Sequence, residues 1–527
     1  MQLKFMTAIT LAFWTYTTFA YAGVTENLTK LKETKNCQYC NLTAVDLRGV
    51  DLSGADLRGA NLSEANLAGA NLTGAILSDA SLYRASLAGA NLSGANLYNV
   101  NLTVAYLGWA DLSMANLGSA NLYFASLVHA NLSEANLMKA RLENANLSMT
   151  NMTKANLVEA ILDKAVLTDA NLTKANLTKS SLKDANMENA NLTEAILTEA
   201  IIINANLKKT NLTKAKLNKA NLTEANFQES NLTNANMANC NLTEAKLDRA
   251  TLIGANLRDC NLTKAQLGKA TLIGANLINC NFFQARMAKA NLSNAQLNGA
   301  NLKEAALSGV DMTAANLTGA NLNNVMAFNA NFTKTKLSGA DLRDANLGAV
   351  NFTLAVLAKA DLSNSNLRKA QLVDANLSKA VLFKSDLRGA NLTNAFLLGA
   401  VLTSSKLIKS NLSNSNLIGA NLTKADLSYA NLSDGNLTDA ILTRANLSMA
   451  NLSKANLTNA TVSKANLSKA KLNGANLTGS NLSEANFAGA DLTMANLKQA
   501  DMLGVVLCNS ILPSGETTFS GCHLHNE

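Results

Sequence analysis

Two groups of cysteines and histidines could bind a metal ion or form disulfides. Cys37 and Cys40 have C-x-x-C spacing, and Cys522 is followed by His523 and His525. Thiolate and imidazole groups are common zinc ligands, but the two groups stand at opposite ends of the sequence, and we expect neither a metal nor a cofactor. We expect disulfides rather than a metal site, because disulfides form and persist in an oxidising compartment. The local pairings are Cys37 with Cys40 and Cys508 with Cys522.

The other cysteines and histidines show no arrangement typical of an enzyme. Cys240, Cys260 and Cys280 fall twenty residues apart at positions otherwise held by small residues, which favours packed thiols over reactive ones. No histidine has the spacing from a serine, cysteine or carboxylate that would indicate a nucleophile and its base. The sequence therefore predicts a protein that is not an enzyme.

A period of five residues determines where these side chains lie. In residues 221–250, large apolar residues recur every five positions and small residues recur at the same interval, and this register runs from Leu42 to Leu512. A step of five would spread apolar residues around a helix and would send them to alternate sides of a strand. A chain that turns a corner once per pentad points every central residue to one axis, so we predict a coil.

A longer period indicates how many pentads close one turn. The segment "ATLIGANLRDC" at 250–260 returns as "ATLIGANLINC" at 270–280, which predicts a turn of four pentads. Repeats of this length are typical of solenoids, whose units bury their apolar faces against their neighbours. Phe332 and Phe352 are central residues twenty apart, and we expect them to stack inside the coil.

The motif in "ADLRGANLSEANLAGANLTGA" at 55–75 resembles the pentapeptide-repeat family, and similar pentads cover most of the chain. The resemblance implies an all-β fold, a single right-handed quadrilateral β-helix with the central residue and the preceding small residue pointing inward. With rungs about 4.8 Å apart, we expect about 24 coils and a rod roughly 115 Å long.

The start of the chain reads as a secretory signal. Lys4 precedes an apolar stretch, and Ala20, Tyr21 and Ala22 form a cleavage site before Gly23. An uncleaved membrane anchor is the alternative. We expect a bacterial protein that is periplasmic or secreted after cleavage. The predicted segments are the signal peptide at 1–22, an N-terminal cap at 23–40, the β-helix at 41–512 and a C-terminal tail at 513–527.

Outward aromatic residues are concentrated in one short part of the coil. Because rings combine a large apolar area with a polar tip, such a cluster is typical of a contact site, and we expect its partner to be a protein or a surface component of the cell envelope. The alternative is that the rings merely cover flat β faces. The predicted site consists of Tyr83, Tyr106, Trp109, Tyr123, Phe124 and His129.

The apolar stretch "MLGVVLCNSIL" at 502–512 would lie at an uncapped end of the coil, where core and strand edges are exposed. We therefore expect a cap or a homodimer contact there. Its residues would be Val505, Val506, Leu507 and Ile511.

The formal net charge is +8, and residues 251–500 contain 24 basic and 13 acidic side chains. This excess favours solubility, or a weak attraction to an anionic polymer, lipid head groups or nucleic acid; nucleic acid is not expected as the partner. Quinolone-resistance members of the family mimic duplex DNA with an acidic rod and occupy gyrase. The mostly neutral outward Asn residues and the positive charge argue against that activity.

Two functions remain. The first is an exported, non-catalytic rod that acts as a binding or structural scaffold through its outward face. The alternative is an exported effector or toxin-associated protein with an active site at one end. We expect the ends to be too short to enclose a drug-sized pocket, which favours the first.

Overall fold

Each pentad forms one side of the coil, and a residue's place in the pentad sets its environment. The computed structural model describes residues 23–522. In residues 41–45, Asn41 bridges to the next coil, Leu42 is fully buried, Ala44 has a φ of 56°, and Val45 is buried. The central residue and the small residue therefore fill the core, while the other three positions face outward.

Short hydrogen bonds close each corner. The fourth residue adopts the left-handed conformation, with a φ of 60° at Glu64, which is unfavourable for residues with a side chain. Two bonds recur around it: the N–H of Ala60 donates to the carbonyl of Leu57 at 3.0 Å, and the N–H of Thr43 donates to Oδ1 of Asn41 at 3.2 Å. Because Asn and Asp stabilise turns in this way, they suit the first position of the pentad.

Successive coils pair in parallel with an offset of twenty residues. This ladder occurs in both compact units of the chain, Met1–Asn256 and Leu257–Glu527, for example between Asn41 and Asn61 and between Asp491 and Ile511. The N–H of Leu42 donates to the carbonyl of Asn61 at 2.7 Å. The predicted turn of four pentads is confirmed within each unit.

The core of each unit consists of central residues that are mostly Leu and of small residues that are mostly Ala, with some Val, Ser, Thr and Cys. Phe332 and Phe352 are fully buried and their ring centroids lie 5.2 Å apart, so the predicted stack is confirmed. Cys240, Cys260 and Cys280 are buried and are not disulfide-bonded. Burial raises the pKa of the Cys280 thiol well above its usual range, which keeps the thiol protonated.

Helix α1 spans residues 23–34, so the prediction of an all-β chain is wrong for this segment. Val24, Leu28 and Leu31 have the spacing of a helical stripe, and Leu31 is fully buried. The coil ladder starts at Asn36, inside the segment that we expected to be a cap. Among residues 23–522, no helix is long and apolar enough to cross a membrane.

Residues that follow the repeat cover the C-terminal end of the coil, which is the cap alternative among our two expectations for this end. Strand β1, Ser510–Ile511, pairs antiparallel with strand β2, Thr517–Thr518. The N–H of Leu507 also donates to the carbonyl of Ser520 at 3.0 Å. The chain reverses here because Pro513 interrupts the repeat and Gly515 takes a φ of 88°.

Candidate partner-binding surface

The predicted aromatic residues lie on successive coils of the first unit. Each occupies an outward position of its pentad: Tyr106 lies in the bridge ladder of a flat side, and the other five lie at the turn positions of a corner. Trp109 is 67% exposed and Phe124 is 51% exposed, so these rings are held at the surface by a rigid backbone ladder. We call this site the aromatic surface: Tyr83, Tyr106, Trp109, Tyr123, Phe124 and His129.

Trp109 and His129 form the best-defined contact of the aromatic surface. They occupy the same corner on adjacent coils, and their rings are stacked with centroids 3.9 Å apart and planes inclined by 16°. Gly89 occupies that corner one coil earlier, and its Cβ position is open. The stack therefore leaves the opposite face of the indole uncovered.

A second ring pair lies on the neighbouring side. The rings of Tyr123 and Phe124 meet edge to face, with centroids 4.5 Å apart. The ring of Tyr106 lies over Gly108, where a Cβ would be 2.8 Å from the Tyr106 hydroxyl. Glycine at position 108 therefore lets the tyrosine ring lie flat between the two aromatic pairs.

Tyr83 is the predicted residue that the structure leaves apart from these pairs. It lies two coils before Tyr123, with Thr103 between them in the same column. The guanidinium of Arg84 lies 5.2 Å from its ring centroid. Tyr83 thus extends the surface along one column without a ring contact to Tyr123.

Exposed aliphatic residues near the rings were not among the residues predicted for this surface. Val104 is 45% exposed and shares the corner of Phe124, while Met149 is 50% exposed and continues the column of Trp109 and His129. Met114 is 67% exposed at the next corner. Comparing outward positions at intervals of twenty would have found Val104 and Met149, and an interval of five from Trp109 would have found Met114.

One carboxylate borders the aromatic surface. Glu143 follows Tyr123 in the same column, and its Oε1 accepts a hydrogen bond from Arg141 at 2.9 Å. Its Oε2 is buried and has no hydrogen-bond partner within the described part of the chain. A buried acceptor without a partner is uncommon, and this oxygen lies beneath the surface rather than on it.

The cysteine pairings considered from the sequence occur as disulfides, one between Cys37 and Cys40 and one between Cys508 and Cys522. Across residues 23–522, no group of three His, Cys, Asp or Glu side chains is arranged to hold a metal ion. His523 and His525 lie outside the described residues, as does the predicted signal peptide.

Each end of the described chain carries a further surface feature. Val505, Val506, Leu507 and Ile511 are only half-exposed, because residues 513–522 fold over their edge. At the other end, a groove of about 450 Å³ lies between α1 and the first coil. Its volume lies within the range of ligand pockets, but it is an open groove rather than the enclosed pocket that we considered. The groove is lined by Val24, Thr25, Leu28, Asn41, Thr43, Ala44 and Val45.

The family model "Pentapeptide repeats (8 copies)" matches the chain in overlapping segments that together account for most of residues 40–504. No curated protein matches the chain significantly. The matched segments are 40–79, 80–118, 115–153, 150–189, 180–219, 220–259, 240–277, 260–299, 275–313, 290–325, 305–344, 345–382, 385–423, 420–459 and 465–504.

Several solved structures are similar to parts of the chain. HetL, a pentapeptide repeat protein involved in heterocyst differentiation regulation from the cyanobacterium Nostoc sp. strain PCC 7120, is 30% identical over 46% of this chain and 91% of its own, with a TM-score of 0.25. Rfr23, a pentapeptide repeat protein from the cyanobacterium Cyanothece 51142, is 30% identical over 27% of this chain and 99% of its own, with a TM-score of 0.21.

QnrB1, a plasmid-mediated fluoroquinolone resistance protein, is 18% identical over 38% of this chain and 87% of its own, with a TM-score of 0.21. Pentapeptide-repeat proteins form right-handed quadrilateral β-helices, which agrees with the register of twenty residues found in both units. With family matches across most of its length, the chain belongs to the pentapeptide-repeat family.

Proposed function

We propose that this chain is an exported, non-catalytic scaffold that binds a protein or another surface component of the cell envelope through the aromatic surface. The observation that carries the proposal is the stack of Trp109 on His129, which leaves the indole 67% exposed. Aromatic anchors of this kind supply much of the energy of protein interfaces.

The surroundings of the stack support a binding role. Val104, Met114 and Met149 add exposed apolar area next to the rings, and contiguous apolar patches on a soluble surface are typical of interaction sites.

Export rests on separate support. Residues 1–22 have the composition of a cleaved signal, and the disulfides Cys37–Cys40 and Cys508–Cys522 suit an oxidising compartment. DNA mimicry is not part of the proposal, because the outward first positions are mostly neutral Asn and the net charge is positive.

Retention of envelope components on the immobilised protein tests the proposal. We expect Trp109→Ala combined with Tyr123→Ala to reduce the amount of the retained partner by about tenfold or more, since hot-spot aromatics dominate interfaces. Phe328→Ala combined with Phe396→Ala is the matched control, because these rings are about equally exposed, at 49% and 50%, but lie in the other unit. Equal retention by both double variants would exclude the aromatic surface as the binding site.

A further inference from the structure

The second unit carries a one-sided concentration of positive charge that is separate from the aromatic surface. Residues 364–369 form one side of a coil from corner to corner, and the same side recurs at intervals of twenty as far as 464–469. We call these six segments the basic face. It contains two acidic residues, Asp386 and Asp426, and ten basic ones: Arg368, Lys369, Lys384, Arg388, Lys406, Lys409, Lys424, Arg444, Lys464 and Lys469.

The opposite side of the same coils lacks this excess. That side consists of five segments at intervals of twenty, from 374–379 to 454–459. It carries two basic residues, Lys379 and Lys454, and three aspartates. Charge that served only solubility would have no reason to avoid the opposite side of the same coils. The distribution instead resembles a surface arranged for an anionic ligand.

The backbone ladder fixes the spacing of these charges. Lys424, Arg444 and Lys464 occupy one corner on three successive coils, because the N–H of Lys424 donates to Thr443 at 3.0 Å and the N–H of Arg444 donates to Ser463 at 3.0 Å. Neighbouring coils of this kind are about 4.8 Å apart. The three cations therefore form a regular row that an extended ligand can follow.

Most of these cations have no acidic partner. Within residues 23–522, ion pairs on the basic face involve only Arg388, which bonds Asp386 at 2.5 Å, and Lys464, which lies 3.4 Å from Glu484. Arg368 also lies near enough to Asp386 to lower the pKa of that carboxyl. The other seven cations have no carboxylate within ion-pair distance among the described residues, and those in neighbouring coils repel one another, since like charges on paired strands are destabilising. Anionic groups placed between the rows would remove this repulsion.

Two aromatic rings lie among the cations. The Nζ of Lys409 lies 5.9 Å from the ring centroid of Tyr429, and the Nζ of Lys384 lies 5.0 Å from that of Phe383. Tyr429 is 54% exposed. An apolar sugar face can pack on such a ring while an acidic group on the same sugar bonds to the adjacent ammonium.

We propose that the basic face binds an extended anionic polysaccharide, with carboxylate or sulfate groups paired to its lysines and arginines. Single-stranded nucleic acid is less suited, because it uses aromatic platforms for successive bases, and Phe383 and Tyr429 are the two rings on or beside the basic face. An anionic bilayer is the competing occupant, which the vesicles in the test below separate from a polysaccharide. This binding is independent of the aromatic surface.

Binding of defined polymers to the purified full chain tests this proposal. The probes are a fluorescent oligogalacturonate long enough to span the six coils, roughly 24 Å, and dextran sulfate, which separate carboxylate from sulfate recognition. We expect Lys409→Glu, Lys424→Glu and Arg444→Glu together to weaken binding of the preferred probe by about tenfold or more, and added salt to weaken binding by the wild type.

A charge-matched variant provides the control. Lys359→Glu, Lys379→Glu and Lys454→Glu change the net charge equally on other corners, and we expect an effect of less than about threefold. Glu484 and Glu304 already occupy the fourth, left-handed position in this unit, so glutamate suits all six sites, and thermal melting checks folding.

Three outcomes would overturn the polysaccharide proposal. The first is that neither probe binds the wild-type protein. The second is an equal loss in both triple variants, which would indicate a response to net charge alone. The third is tighter binding to oligothymidylate or to phosphatidylglycerol vesicles than to either polysaccharide.

Discussion

The indole of Trp109 is stacked on the imidazole of His129, with ring centroids 3.9 Å apart and planes inclined by 16°. The two residues are twenty apart in sequence and occupy the same corner of adjacent coils. The N–H of Trp109 donates to the carbonyl of Val128 at 3.0 Å, so the backbone fixes the relative position of the rings. The contact is therefore preorganised before any partner arrives, which lowers the entropic cost of binding.

Trp109 allows a direct optical test of this arrangement. The sequence has two tryptophans, and Trp14 lies in the predicted signal peptide, so protein expressed from Gly23 onward emits from Trp109 alone. Because the indole is 67% exposed, we expect efficient quenching by acrylamide, and protection from quenching when the envelope partner is bound. Blue-shifted emission that acrylamide does not quench would contradict an open stack.

The stacked phenylalanines should contribute to the free energy of unfolding of the second unit. Phe332 is fully buried against Phe352, so Phe332→Ala should lower the free energy of unfolding by about 3–5 kcal/mol. Phe328→Ala, four residues earlier, removes a ring that is 49% exposed and should cost less than about 1 kcal/mol. Thermal and denaturant unfolding would measure both changes. Equal costs would mean that Phe332 does not pack in the core.

The three buried cysteines should be inert while the protein is folded. Cys240, Cys260 and Cys280 are at most 2% exposed, and burial raises the pKa of Cys280, so little reactive thiolate forms. We expect no labelling of these thiols by iodoacetamide at neutral pH, and labelling of all three after denaturation. Mass spectrometry of the labelled peptides would distinguish them from the disulfide-bonded cysteines. Rapid labelling of the folded protein would show that the coil opens locally.

The sequence predicted those features that the repeat itself generates. The pairing of Trp109 with His129 followed from a turn of twenty residues, as did the stack of Phe332 on Phe352. Helix α1 was missed because residues 23–34 lie outside the repeat. The antiparallel pairing of Ser510 with Thr518 depends on how the chain reverses after Pro513, which no periodicity encodes.

The one-sided charge of the basic face also escaped the sequence analysis. Counting charges along residues 251–500 averages the four sides of each coil. The asymmetry becomes visible only when Lys424, Arg444 and Lys464 are placed on one corner and Asp374 and Asp434 on another.

The first residue of the mature chain should be Gly23. Ala20 and Ala22 are the small residues that signal peptidases require on either side of Tyr21. The intact mass of the protein recovered from the envelope fraction would measure the cleavage point. An Ala22→Arg variant should remain uncleaved. A wild-type mass that includes residues 1–22 would identify the segment as an anchor and would overturn the proposed localisation.

Acid should weaken the coil through a pair of residues that recurs within single pentads. In Asp-Leu-Arg segments the arginine bonds the aspartate two residues earlier, as Arg343 does with Asp341 at 2.7 Å. Hydrogen bonds from the Arg48 side chain and backbone lower the pKa of Asp46 to about 2. The hydrogen bonds from the Arg343 side chain likewise lower the pKa of Asp341.

A carboxylate whose pKa is lowered by folding stabilises the folded state above its unfolded pKa, about 3.9, and loses that contribution as the pH falls through the folded value. We therefore expect the melting temperature to be steady near neutral pH and to fall from about pH 4 towards pH 2. In Arg343→Met the aspartate has no guanidinium partner, so this variant should melt slightly below the wild type at neutral pH, and the difference should shrink towards pH 2. The effect should be small because the pair is partly exposed. A difference between the two proteins that is the same at both pH values would show that Arg343 acts through packing rather than through the charge of Asp341.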